Sequence, residues 1–156
     1  PLYPYTSDEV YLWALREIVP PLIRAFRPDV LVTQLGIDSY FGDPITHLGL
    51  TVQGFGEAVK ELAGLAPSKW LALGGGGYDL HAVARAWTVA YGVMSGQEFP
   101  DAIPGSYRER YDVHSLPDRQ GGQVQASVEK DIKAFAEASV GAVRQLIFPA
   151  HGIRPS

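Results

Sequence analysis

The sequence predicts an α/β protein whose helices pack on a buried parallel sheet. Two short apolar runs, DVLVTQL at residues 29–35 and KWLAL at residues 69–73, lack the polar alternation of a half-exposed strand. Such runs are typical of strands that are covered on both faces. Apolar residues at helical spacing precede the first run and follow both runs, and this alternation of helices and strands indicates a layered α/β architecture.

The first helix is predicted over residues 7–26. Thr6 and Glu9 match a capping box, and apolar residues recur three or four positions apart behind them. Pro20 and Pro21 fall inside this span. Because proline lacks a backbone N–H and clashes with the preceding turn, we expect a kink or a break there.

The later elements are predicted from the same spacing and from glycines that end helices. Helices are expected over residues 51–64 and 80–96. Residues 97–124 hold three prolines and no clear period, which indicates a long irregular segment, and a last helix is expected over residues 125–147. Because two parallel strands rarely form a complete sheet, we expect the remaining strands to lie outside residues 1–156.

The composition excludes several classes of protein. The chain has 156 residues, of which 46% are hydrophobic, enough for one domain with a sizeable core. Its net charge of −4 and the scatter of its 13 Lys and Arg residues argue against a nucleic-acid surface. No apolar stretch reaches the ~18 residues of a membrane span. The absence of cysteine excludes disulfides and thiolate ligands. We therefore expect a cytoplasmic protein without nucleic-acid or membrane partners.

Two loops follow the predicted strands and carry the residues suited to chemistry. GIDSYFGDP, at residues 36–44, follows the first strand, and GGGGY, at residues 74–78, follows the second. Ligands bind beyond the carboxyl ends of parallel strands, so Asp38 and Tyr78 would share a crevice if the strands are neighbours. By position alone, Asp38 is a metal ligand, a base or a loop cap, whereas Asp43 in Gly-Asp-Pro is a turn residue.

The glycine-rich stretch leaves three alternatives open. Backbone amides before a helix can bind a phosphate, but Asp79 stands where the dinucleotide motif needs its last glycine and opposes an anion. Alternatively, the glycines let the backbone approach a ligand while Tyr78 donates a hydrogen bond to an oxyanion, or Tyr78 packs at the corner. The four histidines form no ligand pair and no catalytic dyad, so a metal site within this chain alone is not expected.

The two loop motifs together resemble the C-terminal half of the zinc-dependent histone deacetylase family, and within it the bacterial acetoin-utilisation deacetylases. The motifs are QLGIDSYFGDP at residues 34–44 and LALGGGGYDLHAVARAWT at residues 71–88, and the similarity extends over roughly residues 5–105. The resemblance implies the three-layer α/β/α parallel-sheet fold of arginases and deacetylases. Residues 1–156 would then be the C-terminal portion of a single deacetylase domain.

The resemblance also implies a role for each motif residue. Asp38 would be a direct ligand of Zn²⁺, or of Fe²⁺, and Tyr78 would donate a hydrogen bond to the tetrahedral oxyanion. Asp43 matches a family position that is not assigned to the metal. An acetyl-lysine side chain would enter a narrow tunnel. Its wall would be formed by Gly75, Gly76 and Gly77, and its rim by Pro44 and Ile45.

The implied reaction is hydrolysis of the acetyl amide of lysine in a protein, or of a small acetylated amine, by metal-activated water. In the family, the other metal ligands and a His-His dyad come from N-terminal segments. We therefore expect the isolated chain to be inactive, with the N-terminal half of the same domain as its partner. The alternative is a non-catalytic interaction module derived from this fold. An unpaired sheet edge would also allow homo-oligomers.

Overall fold

The elements of the fold are defined for residues 1–122 and 124–154 in a computed structural model. Residue 123, in the predicted irregular segment, and residues 155 and 156, at the end of the predicted domain, lie outside the described residues. The elements are α1 (Asp8–Phe26), β1 (Leu31–Gln34), α2 (Val52–Leu65), β2 (Trp70–Leu73), α3 (Leu80–Ser95), α4 (Gly105–Tyr111), α5 (Ala126–Leu146) and a 3₁₀ turn (Phe148–His151).

Helix α1 runs through Pro20 and Pro21 without ending, so of the expected kink or break, the break is wrong and the kink stays a prediction. The helix packs against both α2 and α5, and we attribute its continuity to this tertiary packing, which outweighs two missing backbone donors. The predicted capping box is also wrong. The helix begins after Ser7, and the Thr6 hydroxyl instead donates to the carbonyl of Tyr3 at 2.6 Å.

The two strands are neighbours and pair in parallel, which confirms the predicted class of mixed helices and parallel strands. Leu31 lies opposite Trp70, and the pairing continues past the strand ends, where the Leu35 N–H donates to the Leu73 carbonyl at 2.7 Å. The indole N–H of Trp70 donates to the Thr33 hydroxyl at 2.9 Å. The face of the sheet that carries Trp70 packs on a core formed with α2 and α3.

The opposite face of this sheet is apolar and exposed. The side chains of Val32, Leu71 and Leu73 are 56%, 51% and 48% exposed. The prediction that both strands are buried on two faces is therefore wrong for the described part of the chain. The physical reason is that α2 and α3 pack on the same side of the two strands.

The N-terminus of α2 joins distant parts of the chain. Thr51 caps the helix, since its hydroxyl oxygen accepts the Gly54 N–H at 3.0 Å. The carboxylate of Asp8, at the start of α1, accepts the Thr51 N–H at 2.8 Å, and that of Asp118 accepts the Val52 N–H at 2.7 Å. The first turn of α2 thereby anchors both α1 and the segment that precedes α5.

Residues 97–124 differ from the expectation in one respect, because they contain the seven-residue helix α4. This helix buries none of its residues, so it has no apolar series that the sequence could have revealed. Helix α3 ends as predicted, with Gly96 in a left-handed conformation at φ 66°. None of the helices in the described residues combines the length and apolar character needed to cross a bilayer.

Candidate functional site

Two loops lie side by side at the carboxyl ends of the strands. We call residues 36–46 the aspartate loop and residues 74–78 the glycine turn. The Ile37 N–H donates to the Gly76 carbonyl at 2.8 Å, which joins the two loops through their backbones. The structure therefore brings together both segments that the sequence analysis selected.

The carboxylate of Asp38 lies directly against Gly76. A Cβ atom at position 76 would stand 2.2 Å from Oδ2 of Asp38 and 2.6 Å from its Cγ. Asp38 is half-buried, and its backbone carbonyl accepts the hydroxyl of Thr46. Glycine at position 76 is thus what allows this carboxylate to stand between the two loops.

The other predicted substrate-binding residues are distributed around this contact. Gly75 lies against Gln34, and Gly77 has φ +136°, a conformation that L side chains rarely adopt. Pro44 and Ile45 lie on the open side of the aspartate loop, where Ile45 is 60% exposed. The side chain of Tyr78 is 52% exposed, so a ligand can reach its phenol.

Asp43 is a buried carboxylate that connects the two loops. Its Oδ1 accepts the backbone N–H groups of Ile45 at 2.9 Å and Thr46 at 3.1 Å, which is the turn role that the sequence predicts. Its Oδ2 accepts the Tyr78 N–H at 2.8 Å. Burial raises the pKa of Asp43, but the three N–H donors together outweigh it and hold the pKa below its ordinary value. The carboxylate is therefore ionised at neutral pH.

The hydrogen bond between Asp43 and Tyr78 could not be predicted from the sequence. A Gly-Asp-Pro motif predicts a local turn, and nothing near Asp43 in the sequence indicates a partner 35 positions later. From its sequence position, Asp79 is expected only to oppose a phosphate. Its Oδ1 accepts the N–H groups of His81 and Ala82, both at 2.9 Å, so it is the N-cap of α3.

A buried polar cluster joins Tyr40 of the aspartate loop to Arg85 of α3 and to Asp118. Arg85 donates to Asp118 at 2.7 Å and to the Tyr40 hydroxyl at 3.1 Å, and that hydroxyl donates to Asp118 at 3.0 Å. Burial, reinforced by the charge of Asp118, raises the pKa of Tyr40 to about 12, so its phenol stays protonated. This cluster could not be predicted from the sequence, because its members come from three separate segments.

The described residues do not form a metal centre by themselves. Among them, no three His, Asp or Glu side chains come close enough to hold a cation. The nearest histidine in sequence, His47, packs its ring edge-on against Tyr5 with centroids 6.1 Å apart. A catalytic zinc site needs three protein ligands, so Asp38 fits such a site only as one ligand among others.

Alanine at position 76 is expected to displace the Asp38 carboxylate and to lower the free energy of unfolding by about 1–3 kcal/mol, because the added methyl overlaps the carboxyl group. Urea unfolding measures the stability, and NMR chemical shifts around Asp38 measure the displacement.

The control for this substitution is Gly141→Ala. Gly141 lies inside α5, where a Cβ would meet no atom within 4 Å, so alanine there should stabilise the helix by roughly 0.5–1 kcal/mol. The expected crowding at Gly76 is refuted if the two variants are equally stable and the shifts around Asp38 are unchanged.

Comparison with known protein families identifies the class to which this pair of loops belongs. A family model described as the histone deacetylase domain matches residues 1–94, which is more than half of the chain. The chain therefore belongs to the histone deacetylase family, as its motifs predicted. The match includes the aspartate loop, the glycine turn and nearly all of α3.

The chain is also similar to curated proteins that are named acetoin utilization protein AcuC. The protein of Bacillus subtilis (strain 168) is 33% identical over 135 residues, which cover 73% of this chain and 35% of the relative. The protein of Staphylococcus xylosus is 34% identical over 116 residues, and the match covers 71% of this chain and 29% of the relative. The protein of Staphylococcus aureus (strain Mu50 / ATCC 700699) is 37% identical over 93 residues, and the match covers 56% of this chain and 24% of the relative. The predicted likeness to the acetoin-utilisation branch is confirmed, and the matches span about a third or less of these relatives.

Proposed function

We propose that this chain supplies part of the active site of a metal-dependent deacetylase. Its substrate would be the acetyl amide of a lysine in a protein or of a small acetylated amine. The observation that carries the proposal is the contact of the Asp38 carboxylate with Gly76, two positions before the exposed Tyr78. A metal ligand and a hydrogen-bond donor to an oxyanion would therefore lie at the same edge of the sheet.

Asp38 is proposed as one ligand of a Zn²⁺ or Fe²⁺ ion. A bound divalent cation supplies Lewis-acid polarisation of the amide carbonyl and a more acidic water. Support for this role comes from the position of Asp38 after a parallel strand, and from its side chain, which faces the glycine turn. The further ligands and the histidine base are proposed to come from other parts of the domain.

Tyr78 is proposed as the donor to the oxyanion that forms when the amide carbonyl is attacked. A tyrosine hydroxyl can donate a hydrogen bond at neutral pH. The exposure of the Tyr78 side chain leaves its phenol available to a substrate, and the Asp43 carboxylate holds its backbone N–H. Gly75, Gly76 and Gly77 are proposed as the tunnel wall, with Pro44 and Ile45 at the rim.

The chain is further proposed to be the C-terminal portion of one three-layer α/β/α deacetylase domain. The exposed apolar face formed by Val32, Leu71 and Leu73 supports this, because a further layer of helices would cover it. The N-terminal half of the domain would then be the partner that completes both the sheet and the site, and the chain alone would be inactive.

The proposal is tested with residues 1–156 co-expressed with the proposed N-terminal half of the domain. We call this complex the completed domain. It should release acetate from an acetyl-lysine peptide only with Zn²⁺ or Fe²⁺ present. Asp38→Asn should lower both the bound metal and the activity, whereas Asp29→Asn, at an exposed carboxylate before β1, should lower neither.

Metal-independent activity, or wild-type metal content and activity in Asp38→Asn, would refute the proposal. A completed domain that takes up no metal and has no activity would instead support the alternative, a non-catalytic interaction module derived from the deacetylase fold.

A further inference from the structure

Asp43 uses both carboxylate oxygens to bind backbone N–H groups, and the two oxygens serve different loops. Oδ1 holds the turn of its own loop through Ile45 and Thr46. Oδ2 is not needed for that turn and accepts the N–H of Tyr78, which is on the glycine turn. The side chain is only 8% exposed, so water does not readily replace these donors.

The glycine turn is held on both sides of Gly77. Before it, the Gly76 carbonyl accepts the Ile37 N–H at 2.8 Å, and after it, the Tyr78 N–H donates to Asp43 at 2.8 Å. Gly77 itself has φ +136° and is packed against Ile37, where a Cβ would stand 2.6 Å from Cγ2. The aspartate loop therefore determines the path of the backbone that leads into Tyr78.

The side chain of Tyr78 is half exposed, so packing alone does not hold its phenol in one position. A donor that stabilises a developing oxyanion must be placed before the reaction occurs. We infer that Asp43 is a positioning residue, whose carboxylate fixes the Tyr78 backbone relative to Asp38 and so orients the phenol toward the reacting amide. This inference rests on the proposed function, and it assigns Asp43 no contact with the metal or the substrate.

The first experiment measures the Tyr78 amide in the 156-residue chain by NMR hydrogen exchange. In Asp43→Asn an amide group replaces one carboxylate oxygen, and its NH₂ cannot accept the Tyr78 N–H. The Tyr78 amide should then exchange at least about tenfold faster, relative to the Val83 amide, which donates to the backbone carbonyl of Asp79 in the first turn of α3. Unchanged relative exchange would overturn the inference.

The matched control is Asp8→Asn. The Asp8 carboxylate also bridges distant segments, but the bonds that it accepts come from the N–H of Thr51 at 2.8 Å and its hydroxyl at 2.6 Å, not from the glycine turn. This variant should leave the relative exchange of Tyr78 unchanged. Equal acceleration in Asp8→Asn and Asp43→Asn would show a general loss of stability and would overturn the positioning role.

A measurement on the wild-type chain keeps the inference testable if Asp43→Asn does not fold. As the pH falls, the amide resonances of Ile45, Thr46 and Tyr78 should shift with one common midpoint below the ordinary aspartate pKa of about 3.9, because all three donate to the same carboxylate. The carboxylates of Asp38 and Asp79 are nearby, but neither accepts the N–H of Ile45 or Thr46. A Tyr78 midpoint that departs from the other two would overturn the inference.

The second experiment separates positioning from the proposed function itself. In the completed domain, Asp43→Asn should lower kcat by about tenfold or more while KM changes by less than about twofold, because the misplaced donor acts on the transition state. Wild-type kcat in Asp43→Asn together with an impaired Tyr78→Phe would overturn only the role of Asp43. Wild-type kcat in Tyr78→Phe would overturn the proposed function.

Discussion

Replacing Tyr78 with phenylalanine in the completed domain is expected to lower kcat by about 100- to 1,000-fold, the usual effect of removing one oxyanion donor. KM should stay close to the wild-type value, because the phenol hydrogen bond strengthens as negative charge develops on the substrate oxygen. Phenylalanine keeps the ring and the backbone N–H that Asp43 binds, so only the hydroxyl is lost. Steady-state kinetics on an acetyl-lysine peptide, with the bound metal measured in the same samples, test this expectation.

The matched control for Tyr78→Phe is Tyr91→Phe. Tyr91 lies near the other end of α3, has a similar exposure of 55% and stacks on Phe99. Loss of its hydroxyl should leave kcat and KM at the wild-type values. An equal loss of activity in both variants would contradict a specific role for the Tyr78 phenol, and so would full activity in Tyr78→Phe.

Truncating Arg85 to alanine is expected to lower the free energy of unfolding by about 3–5 kcal/mol, because it leaves a buried carboxylate without its countercharge. The side chains of Arg85 and Asp118 are only 10% and 7% exposed, and Nη1 lies 2.7 Å from Oδ1. Arg85 also donates to the Leu116 carbonyl at 3.2 Å and to the Tyr40 hydroxyl. Urea unfolding of the 156-residue chain, followed by circular dichroism, measures the loss.

An exposed ion pair on the same protein provides the comparison. Arg16 and Glu61 are 2.8 Å apart with side chains that are 52% and 31% exposed, so Arg16→Ala should cost no more than about 1 kcal/mol. Arg85→Met combined with Asp118→Asn removes both buried charges and keeps an amide oxygen for the Val52 N–H, so it should recover part of the stability lost in Arg85→Ala. Equal destabilisation by Arg85→Ala and Arg16→Ala would contradict the importance of burial.

Elements with a local signal could be predicted from the sequence. The strands and helices α2 and α3 follow from apolar spacing, and the end of α3 at Gly96 follows from the freedom of glycine to adopt positive φ. The capping box and the helix break predicted at α1 both rested on local signals. Instead, the Thr6 hydroxyl binds the Tyr3 carbonyl, and the helix continues past its two prolines while packed on α2 and α5.

The candidate site shows the same limit. Asp38 and Tyr78 could be selected because each follows a strand, and strand ends define where ligands bind in such folds. The bond between Asp43 and Tyr78 and the cluster around Arg85 could not be predicted, because they depend on which distant segments meet in space. The exposed face of the sheet was missed for a related reason, since an apolar strand looks the same whether or not another layer covers it.

The first turn of α2 affects how distant parts of the chain unfold and refold together. The N–H groups of Thr51 and Val52 are satisfied by Asp8, which precedes the helix in the sequence, and by Asp118, which follows it. Detachment of either segment would leave a polar group of this turn unpaired, so the start of α1 and the segment before α5 lose stability together with α2. The hydrogen bonds of this turn close two long chain loops, and they make the N-terminal helix, the core and the segment before α5 parts of one cooperative unit.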